Sequence, residues 1–390
     1  MLDEFFEQIG YTEEQKTLIK TSYPINTYRE STLIYNLKNL VNFLKRNTFT
    51  NQDIISLTTT LPQTISESIE NIKIRVNELS EFNFNKLEVF QLIKNYPYIL
   101  EMSKERISNK YLLLEELGYK EKEINQILLQ KTELLNTDST SIRKRFSYLK
   151  ELGYKNKDII GMTLKETNIL DMHQTKITNR FDFLKDLGFG KEEVLNITFY
   201  LPEIFLLEKE DMNKKLDSLH KFGYTKKNIV HIIRRIPCVL KESYTEEIPS
   251  KLGILEKLGF THQQIVQITE KNPYILLNTI ENLEENYHNF IKNGFYNKEV
   301  VEMIMKTPIL LTYNKSNIND KLIFYRENHL EERIKENSTL LLENLEYMQE
   351  KRKLVSKELI EDIFMEEEQF FKKYKTSKEK LCKGMKEWIS

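Results

Sequence analysis

The chain has no alanine at all, and only 11 glycines, 8 prolines, 6 histidines and 2 cysteines among 390 residues. Each shortage excludes something. Cys238 and Cys382 have no companion at metal-ligand spacing and are too few for a disulfide framework, so the chain reads as a protein of a reducing compartment. The histidines, at positions 173, 220, 231, 262, 288 and 329, do not cluster with carboxylates or cysteines at metal spacing. There is no phosphate-cradling glycine loop, G-x-S-x-G elbow or H-E-x-x-H pair, and the expectation is a non-enzymatic protein with no cofactor and no metal. No apolar run approaches the roughly 18 residues of a membrane span, so no membrane partner is expected.

Charge of one sign is also lacking: 58 basic residues stand against 59 acidic ones, a formal net charge of -1. A nucleic-acid binder is usually basic overall, so any basic surface here must be confined to one face. The start, Met1-Leu-Asp-Glu-Phe-Phe-Glu, is acidic and resembles neither a secretory signal nor a basic transit peptide. The expected location is the cytoplasm, bacterial in view of the alanine-free, Lys-, Ile- and Asn-rich composition of an AT-rich genome, with a processed organellar protein as the alternative.

What is present is a period. Leu117-Gly118-Tyr119, Leu152-Gly153-Tyr154, Leu187-Gly188-Phe189, Phe222-Gly223-Tyr224, Leu258-Gly259-Phe260 and Asn293-Gly294-Phe295 recur at steps of 35, 35, 35, 36 and 35 residues. Stepping backwards adds Asn83-Phe84, Thr48-Phe49 and Gly10-Tyr11, making nine copies. Proline stands 14 residues after the glycine position in seven of them, at 24, 62, 97, 202, 237, 273 and 308, and the other two carry Thr132 and Thr167. Two unrelated residue types in one phase fix the register.

Each copy reads as a helical hairpin. In copy four, Ile124, Ile127 and Leu128 fall at the i, i+3, i+4 spacing of a first helix, which proline or its substitute ends. A short apolar run makes a tight turn. A second helix then starts at a Ser or Thr cap (Ser103, Ser139, Thr279), carries Ile142, Phe146, Leu149 and Leu152, and stops at the next glycine. Such a unit buries its stripe only by stacking on neighbours. The fold expected is an all-α, right-handed-type helical-repeat solenoid over residues 1–325, with a charged helical extension over 326–390, where the period is lost. The extension reads as an end cap or as a dock for a protein partner. Tetratricopeptide, pentatricopeptide and ankyrin repeats of similar length rely on small residues where helices pack closely, and a chain without alanine fits none of them.

The order Leu-Gly-aromatic, Ile/Leu helix, Pro-x-x-Leu, second helix ending Lys/Arg-apolar-x-x-Leu resembles the repeat of the mitochondrial transcription termination factor (mTERF) family. It stands here as Pro97-Tyr-Ile-Leu100 followed by Lys110-Tyr-Leu-Leu-Leu114 and Leu117-Gly118, and again around Leu258-Gly259-Phe260 and Pro273 to Leu277. The resemblance implies two α-helices and a 3₁₀ turn per repeat, curved into a half-doughnut, and binding of DNA or RNA with an effect on transcription or RNA processing.

A basic column marks the expected contact surface. Twenty-seven residues after the glycine position stand Arg75, Lys110, Arg145, Arg180, Lys215 and Lys321, and Lys251 joins them after a one-residue insertion; copy eight has Asn286, and copy one, whose length differs, has Lys38 nearby. Arg143, with Lys144 beside it, and Arg234 and Arg235 add local charge in copies four and seven, which carry seven basic residues against five and four acidic ones. Long basic stems at a helix boundary also serve simply to cover the core edge and solvate it. On the nucleic-acid reading these residues meet backbone phosphates of duplex DNA, with RNA as the alternative polymer. Seven such contacts would give a salt slope of about -6. The competing reading is a protein-binding helical scaffold without nucleic-acid contact.

Overall fold

The computed structural model describes residues 2–241 and 243–381. Among them every regular element is an α-helix or a 3₁₀ turn and there is no strand. The chain forms two compact units, one running to Asp182 together with Val194–Phe205, the other comprising Phe183–Glu193 and the chain from Leu206.

The hairpin is built as its residues dictate. In copies two to nine the first helix is ten residues long, for example Lys86–Asn95, Lys226–Arg235 and His262–Lys271. Its N-terminus is closed by a reciprocal cap. The residue at the third helical position, Asp53, Glu88, Glu123, Asp158, Glu193 or Glu299, accepts the backbone N–H of the capping residue at 2.7–3.2 Å. Copies one, seven and eight use the neutral Gln15, Asn228 and Gln264 for the same bond. These caps satisfy donors that a helix start otherwise leaves open.

Proline ends the first helix and opens a 3₁₀ turn, Pro97–Glu101, Pro237–Leu240 and Pro308–Leu311 among them. The turn is the element that the family resemblance supplied and periodicity left as a tight turn. Where proline is missing, Thr132 and Thr167 return their hydroxyls to the carbonyls of Leu128 and Thr163, at 2.9 and 3.0 Å. The second helix closes on a left-handed residue: Gly118, Gly153, Gly188, Gly223, Gly259 and Gly294 have φ between 94 and 120°. Thr48 and Asn83 take the same region at 69 and 58°, where a side chain is strained and glycine is not. In copy four the second helix is capped by Asp138 and not by Ser139: the aspartate carboxylate accepts Ser141 N–H at 2.7 Å.

The expected stripes are the core. Ile124, Ile127, Leu128, Ile142, Phe146 and Leu149 are buried, as is every aromatic that follows the glycine position, from Tyr11 to Phe295. Leu152 is half-buried.

The repeat does not stop at residue 325. His329, 35 residues after Gly294, has φ 61° and takes the glycine's place. A first helix shortened to Glu331–Glu336 follows, then the 3₁₀ turn Ser338–Leu342 and a second helix Leu345–Leu354. Ser338 occupies the proline position, where its hydroxyl donates to Met303 O at 3.0 Å. Beyond it, Lys357–Phe364 and Glu367–Tyr374 form a turn and helix with no first helix before them. The segment expected as an extension over 326–390 therefore opens with a tenth, truncated copy, followed by the turn and helix of residues 357–374. Part of the expected segment, residues 382–390, lies outside the described residues. The period was hidden because the shortened first helix moves the turn forward and histidine replaces glycine.

Candidate nucleic-acid interface

The column of basic residues lies on the second helices, each side chain leaning toward the next copy. Its lysines do not face water. Lys110, Lys215, Lys251 and Lys321 are 3–6 % exposed. Lys215 Nζ donates to Leu240 O at 2.6 Å, Lys251 Nζ to Leu276 O at 2.9 Å and Lys321 Nζ to Leu341 O at 2.8 Å. Lys110 Nζ donates to Thr137 O. Every acceptor lies within two residues of the end of the following 3₁₀ turn. Asn286 makes the same bond, to Leu311 O at 2.9 Å, and in the tenth copy Lys351 reaches Ile363 O at 3.2 Å.

The physical reason is the turn's geometry. A short 3₁₀ turn leaves its last carbonyls without intrahelical donors, and a lysine stem of the preceding helix is long enough to bring an ammonium there. Aromatic rings close over Lys251 and Lys321: the ammoniums lie 5.3 Å from the Tyr244 centroid and 5.2 Å from that of Tyr313. Burial holds Lys110, Lys321 and Lys351 below the ordinary lysine pKa. Two surface clefts, one by Ser103, Arg106 and Lys110, the other by Asn314, Asp320 and Lys321, have the column lysine in their lining.

The phosphate rail expected from the spacing is thus, in its lysine members, an inter-copy strut. Arg180 is likewise 4 % exposed, with a partner of its own. Arg145 is half-buried, and its Nε is enclosed without a protein acceptor. Of the ten expected residues, Arg75, Arg143, Arg234 and Arg235 present exposed head groups. Arg75 pairs with Glu78 at 3.1 Å, Arg143 with Glu116, and Arg234 with Glu193 at 2.6 Å. Arg235 makes no hydrogen bond or ion pair with any described residue.

A second ladder was not anticipated. The last residue of several first helices donates to a carbonyl at the end of the next first helix. Asn95 reaches Leu129 O, Gln130 reaches Leu164 O, Lys165 reaches Phe199 O and Lys271 reaches Met305 O, at 2.9–3.2 Å. A donor or cation there meets the negative end of the neighbouring helix. The signal was present in the sequence as Asn, Gln or Lys twelve residues after the glycine position, but no single type marks it.

Among the described residues no group of His, Cys, Asp and Glu is placed to hold a metal ion, and no helix is long and apolar enough to cross a membrane.

Turns, caps and inter-copy bonds repeating every 35 or so residues define an all-α helical-repeat protein of hairpin–3₁₀ type. The mTERF family profile matches residues 4–130, 30–221 and 208–360, and the chain belongs to that family, whose members bind nucleic acids and regulate transcription. No curated protein matches it individually. The last matched segment runs through the truncated tenth copy.

Proposed function

We propose that the protein is a non-enzymatic regulator of transcription that binds duplex DNA through backbone phosphates. The observation that carries the reading is membership of a nucleic-acid-binding family by nearly the whole chain. It is supported by exposed cations, Arg75, Arg143, Lys144, Arg234 and Arg235, on an otherwise charge-balanced surface. Three of these arginines sit in surface ion pairs, each worth about 0–1 kcal/mol, so exchanging a carboxylate for a phosphate costs little. Contacts of this type set affinity and orientation and carry little base choice.

With the buried lysines removed from the contact set, about four phosphates remain, and the salt slope for duplex DNA becomes about -4. The test is titration of the full chain into labelled duplex DNA, single-stranded DNA and RNA across a salt series. Duplex binding with that slope supports the reading. Preference for RNA or single strands overturns the polymer, and absence of binding to all three at low salt overturns the function.

A further inference from the structure

The first helix of copy seven, Lys226–Arg235, departs in three ways from the pattern of most other copies. It is the one α-helix among the described residues with neither Asp nor Glu. Its first turn carries Lys226 and Lys227, where the positive end of the helix favours acids; the capping position that holds an acid in six of the other copies is the neutral Asn228. At its last position Arg235 is exposed and makes no bond to the next copy, whereas Lys165, Lys271 and Lys306 in the same place donate to carbonyls of theirs.

Local rules broken together without a structural return mark functional positions. Lys227, His231 and Arg234 share one stripe, with Arg235 at its edge, and eight residues of helix separate Lys227 from Arg235, about 12 Å of rise. Lys226 is tied to Asp186 O at 3.0 Å, and Arg234 is steadied by Glu193 and by the Phe189 ring 5.9 Å away. Glu192, beside the half-buried Glu193 at the start of the preceding helix, is exposed. The neighbouring first helix, His262–Lys271, also has a neutral capping residue and exposes His262, Gln263, Gln267 and Lys271, with Glu270 its single acid.

We infer that this face of copy seven, through Lys227 and Arg235 with Arg234 between them, is the phosphate-contact surface for nucleic acid, and that copy eight extends it with neutral hydrogen-bonding side chains. The inference rests on the nucleic-acid reading above. The stripe is long enough to meet more than one phosphate of a duplex strand, whose charges repeat every ~3.4 Å along the axis.

The test compares the full chain with Lys227→Glu/Arg235→Glu by fluorescence anisotropy on two labelled duplexes of unrelated sequence, over a salt series. Because neither side chain makes a hydrogen bond or ion pair with any described residue, the variant should melt like the parent. The expected result is affinity lowered at least tenfold on both duplexes and a salt slope shallower by about 2. An unchanged affinity and slope, with the parent still binding DNA, overturns the assignment of this face and leaves the function standing. A parent that binds no nucleic acid, or binds only vesicles of anionic lipid, overturns both. A Lys227→Gln/Arg235→Gln variant serves if the glutamates perturb folding, and its loss should be about half as large on a logarithmic scale.

Discussion

The hydroxyl of Tyr119 donates to Thr163 Oγ1 at 2.6 Å, and Thr163 gives its own hydrogen to Ile159 O at 2.8 Å. The same relay joins Tyr11 to Thr58, Tyr154 to Thr198 and Tyr224 to Thr269, always from the residue after the glycine to the first helix of the next copy. Where the aromatic is Phe49, Phe84, Phe189 or Phe260, the residue 44 positions on is Ile93, Leu128, Ile233 or Ile304, each buried. A buried phenol needs an acceptor and a buried phenyl needs none, so the two positions match in chemistry copy by copy.

This match predicts coupling. Thr163→Val leaves the Tyr119 hydroxyl buried without its acceptor and should cost about 1–3 kcal/mol. Tyr119→Phe combined with Thr163→Val gives the apolar pairing of copies two and three, a phenyl against an aliphatic side chain, and should recover most of that loss. Urea unfolding of the two singles and the double measures the coupling energy; additive losses would show that the hydroxyl bond contributes nothing specific.

The tyrosines also set the alkaline limit. Burial pushes the phenol of Tyr11 up to about 12 and those of Tyr111, Tyr119, Tyr154, Tyr224 and Tyr325 higher still. Above about pH 10 the unfolded chain loses these protons and the folded chain keeps them. The unfolded state then binds fewer protons, and stability falls as pH rises. The depressed lysines Lys110, Lys321 and Lys351 work in the opposite direction, but they are fewer. Thermal melts between pH 8 and 11 should show a midpoint that drops from about pH 10, with phenolate absorbance of these residues appearing only on unfolding.

At the glycine position, Gly153→Ala forces a β-carbon into φ 120° and should destabilise by more than 1 kcal/mol. His329→Gly removes the corresponding strain at φ 61° and should stabilise by about 0.5–1 kcal/mol. A neutral His329→Gly would contradict the strain assigned to His329 in the glycine's place.

Much of the fold was legible because the period is carried by residues whose roles are geometric. Glycine accepts positive φ, proline ends a helix, and buried Ile and Leu keep helical spacing. Copy ten escaped for the same reason, since histidine holds the turn and the first helix loses a turn of its own. The site was less legible. A basic residue in phase at the helix boundary looks the same whether its ammonium meets a phosphate or a carbonyl 25 residues onward, and only burial separates the two. Arg235 shows the converse: it sits in a position that elsewhere is structural, and what distinguishes it is the absence of a bond.

The central claim is that the column lysines hold copy to copy while exposed cations elsewhere hold the nucleic acid. Lys215→Met and Lys251→Met, in the full chain, test it most directly through two readouts on the same samples: unfolding free energy, and the salt slope of duplex binding. Each variant should lose about 1–3 kcal/mol of stability, from a carbonyl left without its donor, and keep the parent's slope. Unchanged stability with a slope shallower by about one unit per variant would contradict the account and return these lysines to the phosphate rail.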